Sequence, residues 1–450
     1  MDVFGARSLP FMTRRNYVHE AVHLLPWGIV VGLAEGNVSA VVVAKTFGGS
    51  ELLIGLAVAS TMFAKLVSLI WGMLSVGRPK LRVLSVLGAA TVMCLASVAA
   101  TPQSSWGGWV FVGQMAATQA FLAGVVTLRT ALWKSNYPRE YRGRITARLQ
   151  LIRLLTSIGA MAAAAMVFDR DATAYRFVYP LAALCGACAI VVVGRMRVRG
   201  ENAELRRMSA AMEQGLDSGL AEPFSLAAVL SPGHVLGQMR RILREDRAFA
   251  RYCKALMWTG SANLMVAPVL ATIVTREMQL NYLVSVGLLD ILPRTVMLIA
   301  LFRWAPFFDR VGVVRYRVVS GLFWLSFLVL GTIATLVVVN EAGIGPAAPV
   351  IAIAVYGLSR VCMGMGLGGG MLAWNLGHLH FAPAHEAEIY MGVHVTLTGL
   401  RGLVMPLLGI WLWMVVGWWV WLLASCLSLV GFWGYVAMAR EEGAEAGSEK

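Results

Sequence analysis

Seven charged side chains stand deep inside long apolar runs of this sequence, where charge is costly. The two acids are Glu35 and Asp290, and the five bases are Lys65, Arg153, Arg294, Arg360 and Arg401. A charge at the centre of a bilayer costs roughly 2.5 to 3.5 kcal/mol on insertion scales, so such residues normally face the protein interior and serve a function. All but Lys65 join Asn37 and Asn263 as candidates for binding a substrate or a coupling ion.

Glu35 is the leading candidate for reversible protonation. It has no basic residue one helical turn away, and Gly32 and Gly36 on either side permit close helix approach or local unwinding. An acid removed from water is protonated more easily, which suits proton coupling. The alternative is a permanent ion pair with Lys65 or Arg153.

Asp290 and Arg294 are four residues apart, which places them on one helix face within pairing distance. They could form a self-neutralising pair that lets the helix insert, or a functional pair. Pro293 between them lacks an N–H group and could leave a backbone carbonyl free.

Arg153, Arg360 and Arg401 supply fixed positive charge, because arginine does not usefully release its proton. They could grip an anionic substrate such as a carboxylate or phosphate through paired hydrogen bonds. They could equally bind helix-end carbonyls or the two acids and hold the protein together. Both interpretations stay open.

Composition places these residues in a membrane. Hydrophobic residues make up 58% of the 450-residue chain and charged residues 14%, and the mean hydropathy is +0.70, far more apolar than a soluble globular protein. The net charge of +14 falls mostly in short loops, so membrane topology explains it better than a nucleic-acid partner does.

Motifs for other chemistry are missing from the sequence. The six cysteines follow no disulfide spacing, the histidines near 378–394 follow no metal-ligand motif, and the glycines of 364–370 follow no nucleotide-binding motif. No spacing of nucleophile, base and orienting residue suggests an enzyme. We therefore expect neither a cofactor nor a metal, and no Walker motif points to ATP as the energy source.

Twelve apolar runs position the candidate residues, each near the roughly 20 residues needed to cross a bilayer. They cover approximately residues 23–46, 51–74, 81–100, 106–133, 145–168, 175–194, 249–275, 280–302, 318–339, 347–374, 387–414 and 418–438. Lys and Arg cluster in alternate loops, with 375–388 as an exception. This pattern predicts a multi-pass protein of the cell (inner) membrane with both termini in the cytoplasm.

The polar segment 195–248 separates the runs into two sets of six. We expect bundles at 1–194 and 249–440, a cytoplasmic linker between them and a cytoplasmic tail at 441–450. The halves echo each other: 35–39 in run one corresponds to 260–263 in run seven, and Arg153 in run five to Arg401 in run eleven. The fold class is thus an all-α membrane protein built from two parallel repeats.

The loop after run eight contains Asp309, Arg310 and Gly312, and the loop after run two, at the same place in the first half, contains Gly72 and Arg78. Here the chain resembles the major facilitator superfamily, whose corresponding loops carry Gly-x-x-x-Asp-Arg-x-Gly-Arg/Lys. The resemblance implies a cytoplasmic gate at these residues, although in the first loop Val76 replaces the acid and Pro79 the second glycine. Alternatively, both are basic turns that only set orientation.

The resemblance covers essentially the whole chain and implies a secondary transporter of twelve transmembrane helices. Its helices 1, 4, 7 and 10 would line a cavity, where Gln119 and Trp258 are further candidates. The expected partners are a small organic solute, with an anion as one candidate, a coupling ion with H+ favoured, and the lipid bilayer. The alternative is a transport-inactive receptor or assembly subunit that kept the fold.

Overall fold

The computed structural model describes residues 9–75, 78–104, 106–203, 205–206, 232–382 and 387–448. These residues form helices and connecting turns without any strand. Twelve of the helices in this part of the chain are long and apolar enough to cross a membrane. The prediction of twelve spans in an all-α membrane protein is therefore confirmed.

The helices extend several residues beyond the apolar runs at many ends. In chain order they are α1 (Phe11–Ala34), α2 (Val38–Lys45), α3 (Glu51–Leu74), α4 (Lys80–Ala96), α5 (Gly107–Asn136), α6 (Arg139–Arg170), α7 (Tyr175–Val193), α8 (Pro232–Glu245), α9 (Arg247–Thr272), α10 (Tyr282–Val286), α11 (Leu292–Val311), α12 (Val313–Val339), α13 (Glu341–Ile344), α14 (Ala348–Leu376), α15 (Ala387–Val416) and α16 (Trp419–Ser448). Polar residues continue a helix once it leaves the hydrocarbon, since backbone bonding there needs no apolar side chain.

The chain divides into two compact units. Unit 1 comprises Met1–Ser39 and Phe63–Val235, and unit 2 comprises Ala40–Met62 and Leu236–Lys450. The break between 235 and 236 falls inside the polar segment 195–248. The limits expected at 194, 248 and 440 stay predictions.

Residues 40–62 belong to unit 2 through polar contacts near the start of α3. Lys45 Nζ donates to the carbonyl of Leu280 at 2.9 Å. Arg276 Nη1 lies 3.8 Å from Glu51 Oε1. These contacts tie the segment to the end of α9 and the loop that follows it.

In unit 1, α1 packs against α6 and α7, and α4 packs against α5 and α7. Small residues bring α1 and α6 close together. A Cβ on Gly32 would lie 2.7 Å from the carbonyl oxygen of Ser157, and Ser157 Oγ donates to the carbonyl of Gly28 at 2.9 Å. Such glycine contacts are a common means of joining membrane helices, because they let the backbones approach.

Unit 2 repeats this packing order. Its first membrane helix, α9, packs against its fifth and sixth, α15 and α16, and its third, α12, packs against α14 and α16. Gly409 on α15 supplies the close approach here, since a Cβ at that position would collide with the carbonyl of Met265 on α9. The shared order supports the interpretation of the two halves as structural repeats.

Candidate functional site

The first membrane helix is interrupted where Glu35 stands. α1 ends at Ala34 and α2 begins at Val38, and Gly36 between them has φ of 109°, a conformation that glycine adopts without strain. The carbonyl of Ala34, left open by the end of α1, accepts a hydrogen bond from the Gln119 amide on α5. Interrupted helices often form transport sites, because their free backbone groups can bind a solute or ion.

An ion pair occupies this interruption. Arg153 Nη1 on α6 lies 3.5 Å from Glu35 Oε2, and each side chain is 26% exposed. Arg153 Nε also donates to Gln150 Oε1 at 2.8 Å. The structure thus brings together two residues that the sequence named separately, with Asn37 half-buried beside them. The side chain of Lys65, the other possible partner, lies outside the described part of the structure.

A second charged network in unit 1 was missed by the sequence analysis. Glu20 on α1 accepts hydrogen bonds from Tyr137 Oη at 2.6 Å and from the Trp133 indole, and Arg129 Nε lies 3.9 Å from Glu20 Oε1. His23 Nε2 faces Arg129 Nη2 at 2.6 Å. All three ionisable groups at its centre, Glu20, Arg129 and His23, are buried.

The hydrogen bonds of His23 define its neutral tautomer. Its Nε2 accepts from the Arg129 guanidinium, so its Nδ1–H donates to the carbonyl of Ala189 at 2.9 Å. At the end of α5, burial and the nearby Glu20 carboxylate raise the pKa of Tyr137 well above its usual value, so its hydroxyl remains a donor. The Glu20 carboxylate is therefore held by hydrogen-bond donors that keep their protons.

Helical spacing was the available signal for this network. Arg129, Trp133 and Tyr137 recur every four residues, and Glu20 and His23 are three apart, so each set shares one helix face. Glu20 was overlooked because it precedes the first apolar run, which starts at residue 23. The helix itself begins at Phe11.

In unit 2, the candidates on the eighth membrane helix surround a distorted turn. Asp290 lies in a π-helical turn, Gly287–Ile291, between α10 and α11, and its Oδ1 is 3.6 Å from Arg294 Nη2. Pro293 cannot donate to the carbonyls one turn before it. Arg360 on α14 replaces that donor.

Arg360 reaches both of the exposed carbonyls. Its Nε donates to the carbonyl of Leu288 at 2.9 Å and its Nη2 to that of Leu289 at 2.6 Å. Arg360 is 4% exposed. Its hydrogen bonds therefore serve helix structure, the second of the two roles that the sequence left open for the arginines.

Arg401 on α15 binds backbone in a similar way. Its Nη1 donates to the carbonyl of Leu256 on α9 at 2.7 Å. The guanidinium fills the space that a Cβ on Gly260 would need, so this glycine makes room for the arginine. Asn263 lies half-buried one turn further along α9.

Arg317 is a buried arginine that the sequence analysis left among the basic loop residues. α12 begins at Val313 and carries Arg317 into the protein, where its Nε and Nη2 donate to Tyr252 Oη at 3.2 and 3.1 Å. Its guanidinium also lies 5.7 Å from the centre of the Tyr252 ring. The sequence analysis missed Arg317 because the helix starts after Gly312, several residues before the apolar run that hydropathy identifies.

A cavity of about 400 Å³ lies within unit 2 between α8, α9 and α15. Its lining includes Lys254, Trp258, Ser261 and Leu397. A charged amine, an indole and a hydroxyl in one mainly apolar cavity suit a small organic solute. Trp258 was a sequence candidate, and Lys254 was not.

The predicted gate residues sit at helix ends. Gly312, with φ of 76°, ends α11 and starts α12. Arg78 and Arg310 are exposed, and the carbonyl of Gly72 accepts from Ser75 Oγ at 2.5 Å. The side chain of Asp309 and residues 76–77 lie outside the described structure, so the gate stays a prediction.

The described part of the chain was also inspected for a metal site. No group of three or more His, Cys, Asp or Glu side chains is arranged there to hold a metal ion. The charged sites described above consist of arginine with one carboxylate, or of arginine with carbonyl and tyrosine oxygen.

Twelve membrane-length helices in the described chain and two repeated packing patterns define a polytopic membrane protein built from two structural repeats. The family model described as the Major Facilitator Superfamily matches residues 24–400. The chain belongs to this superfamily. A search of curated protein sequences found no match.

Solved transporter structures share the fold. A POT family transporter in complex with 5-aminolevulinic acid superposes with a TM-score of 0.66 at 11% identity, over 97% of this chain and 99% of that one. The xylose transporter XylE from E. coli gives 0.60 at 12%, over 93% and 96%. The nucleoside transporter NupG gives 0.60 at 13%, over 95% and 99%. At such identities the likeness establishes the fold and leaves the solute open.

Proposed function

We propose that this protein is a secondary transporter that moves a small organic anion together with protons by alternating access. The observation that carries the proposal is the ion pair of Glu35 and Arg153, each 26% exposed, at the interruption of the first membrane helix. Ionisable residues in membrane spans normally face the bundle interior or a water-filled cavity and mark the pathway of a solute or ion.

The pair supports a simple coupling mechanism. A proton that binds the Glu35 carboxylate removes the negative charge opposite Arg153. The guanidinium can then donate paired hydrogen bonds to a carboxylate or phosphate of the solute. When Glu35 loses the proton, the ion pair forms again and competes with the solute, so proton and anion bind and leave together.

The other arginines favour Arg153 as the solute-binding base. Arg360 and Arg401 already donate to backbone carbonyls and are buried. Arg153 donates to Gln150, and it keeps partial exposure next to its acid.

Relatives in fold carry varied solutes. They include a D-xylose-proton symporter, a nucleoside transporter and a POT family transporter with bound 5-aminolevulinic acid. Proton coupling is thus compatible with this fold, and the solute must follow from side chains of each chain. We also propose the cell membrane as the location, with both termini cytoplasmic, from the distribution of Lys and Arg.

A thermal-shift screen of the purified protein against a metabolite library identifies the solute, because a ligand that binds the native state raises its apparent stability. Counterflow of the labelled hit in proteoliposomes then tests transport. Binding without counterflow would favour the transport-inactive receptor. Transport of a neutral solute that ignores Arg153 would contradict an anion site at that residue.

Variants of the pair test the mechanism. Arg153→Gln should weaken solute binding by at least about tenfold, since a charged hydrogen bond contributes about 1.5 to 3 kcal/mol. Arg153→Lys keeps the charge and loses the paired donors, so it should bind more weakly than the wild type. Asp171→Asn, a change at an exposed carboxylate of unit 1, is the matched control and should behave as wild type.

A further inference from the structure

A cluster of buried cationic and polar side chains lies within unit 2, apart from the residues proposed for transport. We define the arginine cluster as Arg317, Arg401, His394, Tyr252 and Tyr435. They come from α9, α12, α15 and α16, and each is at most 8% exposed. Four helices therefore contribute to one enclosed polar region.

In the part of the chain that the structure describes, no carboxylate pairs with the arginines of the cluster. Among the described residues, neither Arg317 nor Arg401 forms an ion pair. The two guanidinium groups lie within electrostatic range of each other and of His394. Two buried like charges without a counter-charge are costly, so the region favours an anion.

Several polar atoms of the cluster also lack hydrogen-bond partners, and one nitrogen of a neutral imidazole is a donor. Arg401 Nε, both ring nitrogens of His394 and Tyr435 Oη have no hydrogen-bond partner in the described chain. His394 is 1% exposed and Tyr435 is 2% exposed. Buried polar atoms nearly always find a partner in native proteins, so unmatched donors around two arginines indicate a missing acceptor.

The chemistry of the donors identifies the acceptor. Guanidinium, imidazole and phenol groups together match an oxyanion with several acceptor oxygens, and arginine pairs are the usual partners of phosphate. A cavity of about 400 Å³ comes near the cluster along α15, since it is lined by Leu397, one helical turn from His394.

We propose that the arginine cluster is an anion site for a phosphate group, supplied either by free phosphate or by a lipid headgroup. Its occupant neutralises Arg317 and Arg401 and stabilises the packing of α9, α12, α15 and α16. The site is independent of Glu35 and Arg153, which lie in unit 1. The proposal therefore does not rest on the transport mechanism.

Thermal unfolding of the purified full-length protein tests the site. The wild type is melted in gluconate buffer while phosphate is titrated at constant ionic strength. We expect the unfolding midpoint to rise with the logarithm of the phosphate concentration above the dissociation constant, by on the order of 4 °C at about 100 times that constant. Arg315→Gln, at an exposed arginine two residues before Arg317, is the matched control and should keep the full rise.

Cluster variants should lose the response. Arg401→Gln should abolish the rise. His394→Gln is a milder change that keeps both arginines, and it should raise the phosphate concentration at which the rise begins by about tenfold. If Arg401→Gln fails to fold, His394→Gln alone decides. An undiminished rise in His394→Gln would overturn the proposal.

A lipid arm separates the two sources. Phosphatidylglycerol in mixed micelles replaces phosphate in the same titration. A rise with the lipid alone, lost in the cluster variants, assigns the phosphate group to a headgroup. A rise with phosphate alone assigns it to the free ion, and no rise with either compound overturns the site.

Discussion

Each unit has an arginine on the fifth membrane helix of its repeat, but the two arginines bind different partners. In unit 1, Arg153 on the fifth membrane helix faces the Glu35 carboxylate on the first. In unit 2, Arg401 on the fifth membrane helix faces a backbone carbonyl, that of Leu256, on the first. A carboxylate can take up and release a proton, and a carbonyl cannot. The repeat thus gives one unit an arginine paired with a carboxylate and the other an arginine bound to the backbone.

Two more deeply buried arginines, one in each unit, show the same contrast. Arg129 of unit 1 lies beside the Glu20 carboxylate, whereas Arg317 of unit 2 donates to the neutral hydroxyl of Tyr252. Symmetry of helix packing therefore does not extend to charge. The following variants are chosen to break or sharpen this comparison.

Arg129→Met should have the largest effect. Removing one partner of a buried ion pair strands the Glu20 charge and costs roughly 3 to 5 kcal/mol of unfolding free energy. Denaturant unfolding measures the loss. The double variant Arg129→Met with Glu20→Gln should recover much of the lost unfolding free energy. Arg317→Met leaves no carboxylate unpaired, so it should lower the unfolding free energy less than Arg129→Met does. Equal costs in the two units would break the comparison.

Arg360→Met should destabilise unit 2 by about 1 to 3 kcal/mol per carbonyl left unsatisfied. The carbonyls of Leu288 and Leu289 would lose their donor. Pro293→Ala restores an N–H group to the turn, so the cost of Arg360→Met should shrink in that background. A double-mutant cycle measures this coupling, and additive costs would show that Arg360 does not substitute for the proline N–H.

Gly32→Ala should cost about 1 to 3 kcal/mol through overpacking. The new Cβ would lie 2.7 Å from the backbone of Ser157 on α6, so α1 and α6 must separate, which also widens the pair of Glu35 and Arg153. Gly159→Ala is the control on α6, because its Cβ would meet nothing within 4 Å. Similar unfolding midpoints for both variants would argue against close packing at Gly32.

His378→Gln should have the smallest effect, confined to acidic pH. Burial lowers the pKa of His378, so below about pH 6.5 the unfolded chain binds a proton that the folded chain resists. Stability contributed by this residue is complete above that pH and falls as pH drops. Between pH 7.5 and 5.5, the unfolding midpoint of the variant should therefore fall less than that of the wild type. Melting experiments measure this difference, and His380→Gln, at an exposed histidine, is the control. An unchanged slope would contradict the prediction.

Sequence patterns predicted the local features well. Hydropathy predicted twelve helices, the glycines around Glu35 anticipated its helix break, and Pro293 anticipated free carbonyls. These features depend on neighbours along the chain. The choice of Arg153 or Lys65 as the partner of Glu35 depends on which helices pack together, and the sequence left it open.

Helix limits explain the residues that were missed. Glu20 precedes the first apolar run and Arg317 precedes the ninth, so neither was counted among the charges inside the runs. Each is carried into the protein by a helix that begins earlier than its apolar run. Inspection of helical spacing beyond the runs would have found Glu20 with His23.

Gradient-driven uptake by Glu35→Gln tests the central claim most directly. Proteoliposomes with wild type or variant receive the labelled solute identified by the thermal-shift screen, with and without an imposed pH gradient. We predict that Glu35→Gln retains counterflow and loses both proton-driven accumulation and the pH dependence of uptake. Accumulation by the variant with the pH dependence of the wild type would contradict proton coupling through Glu35.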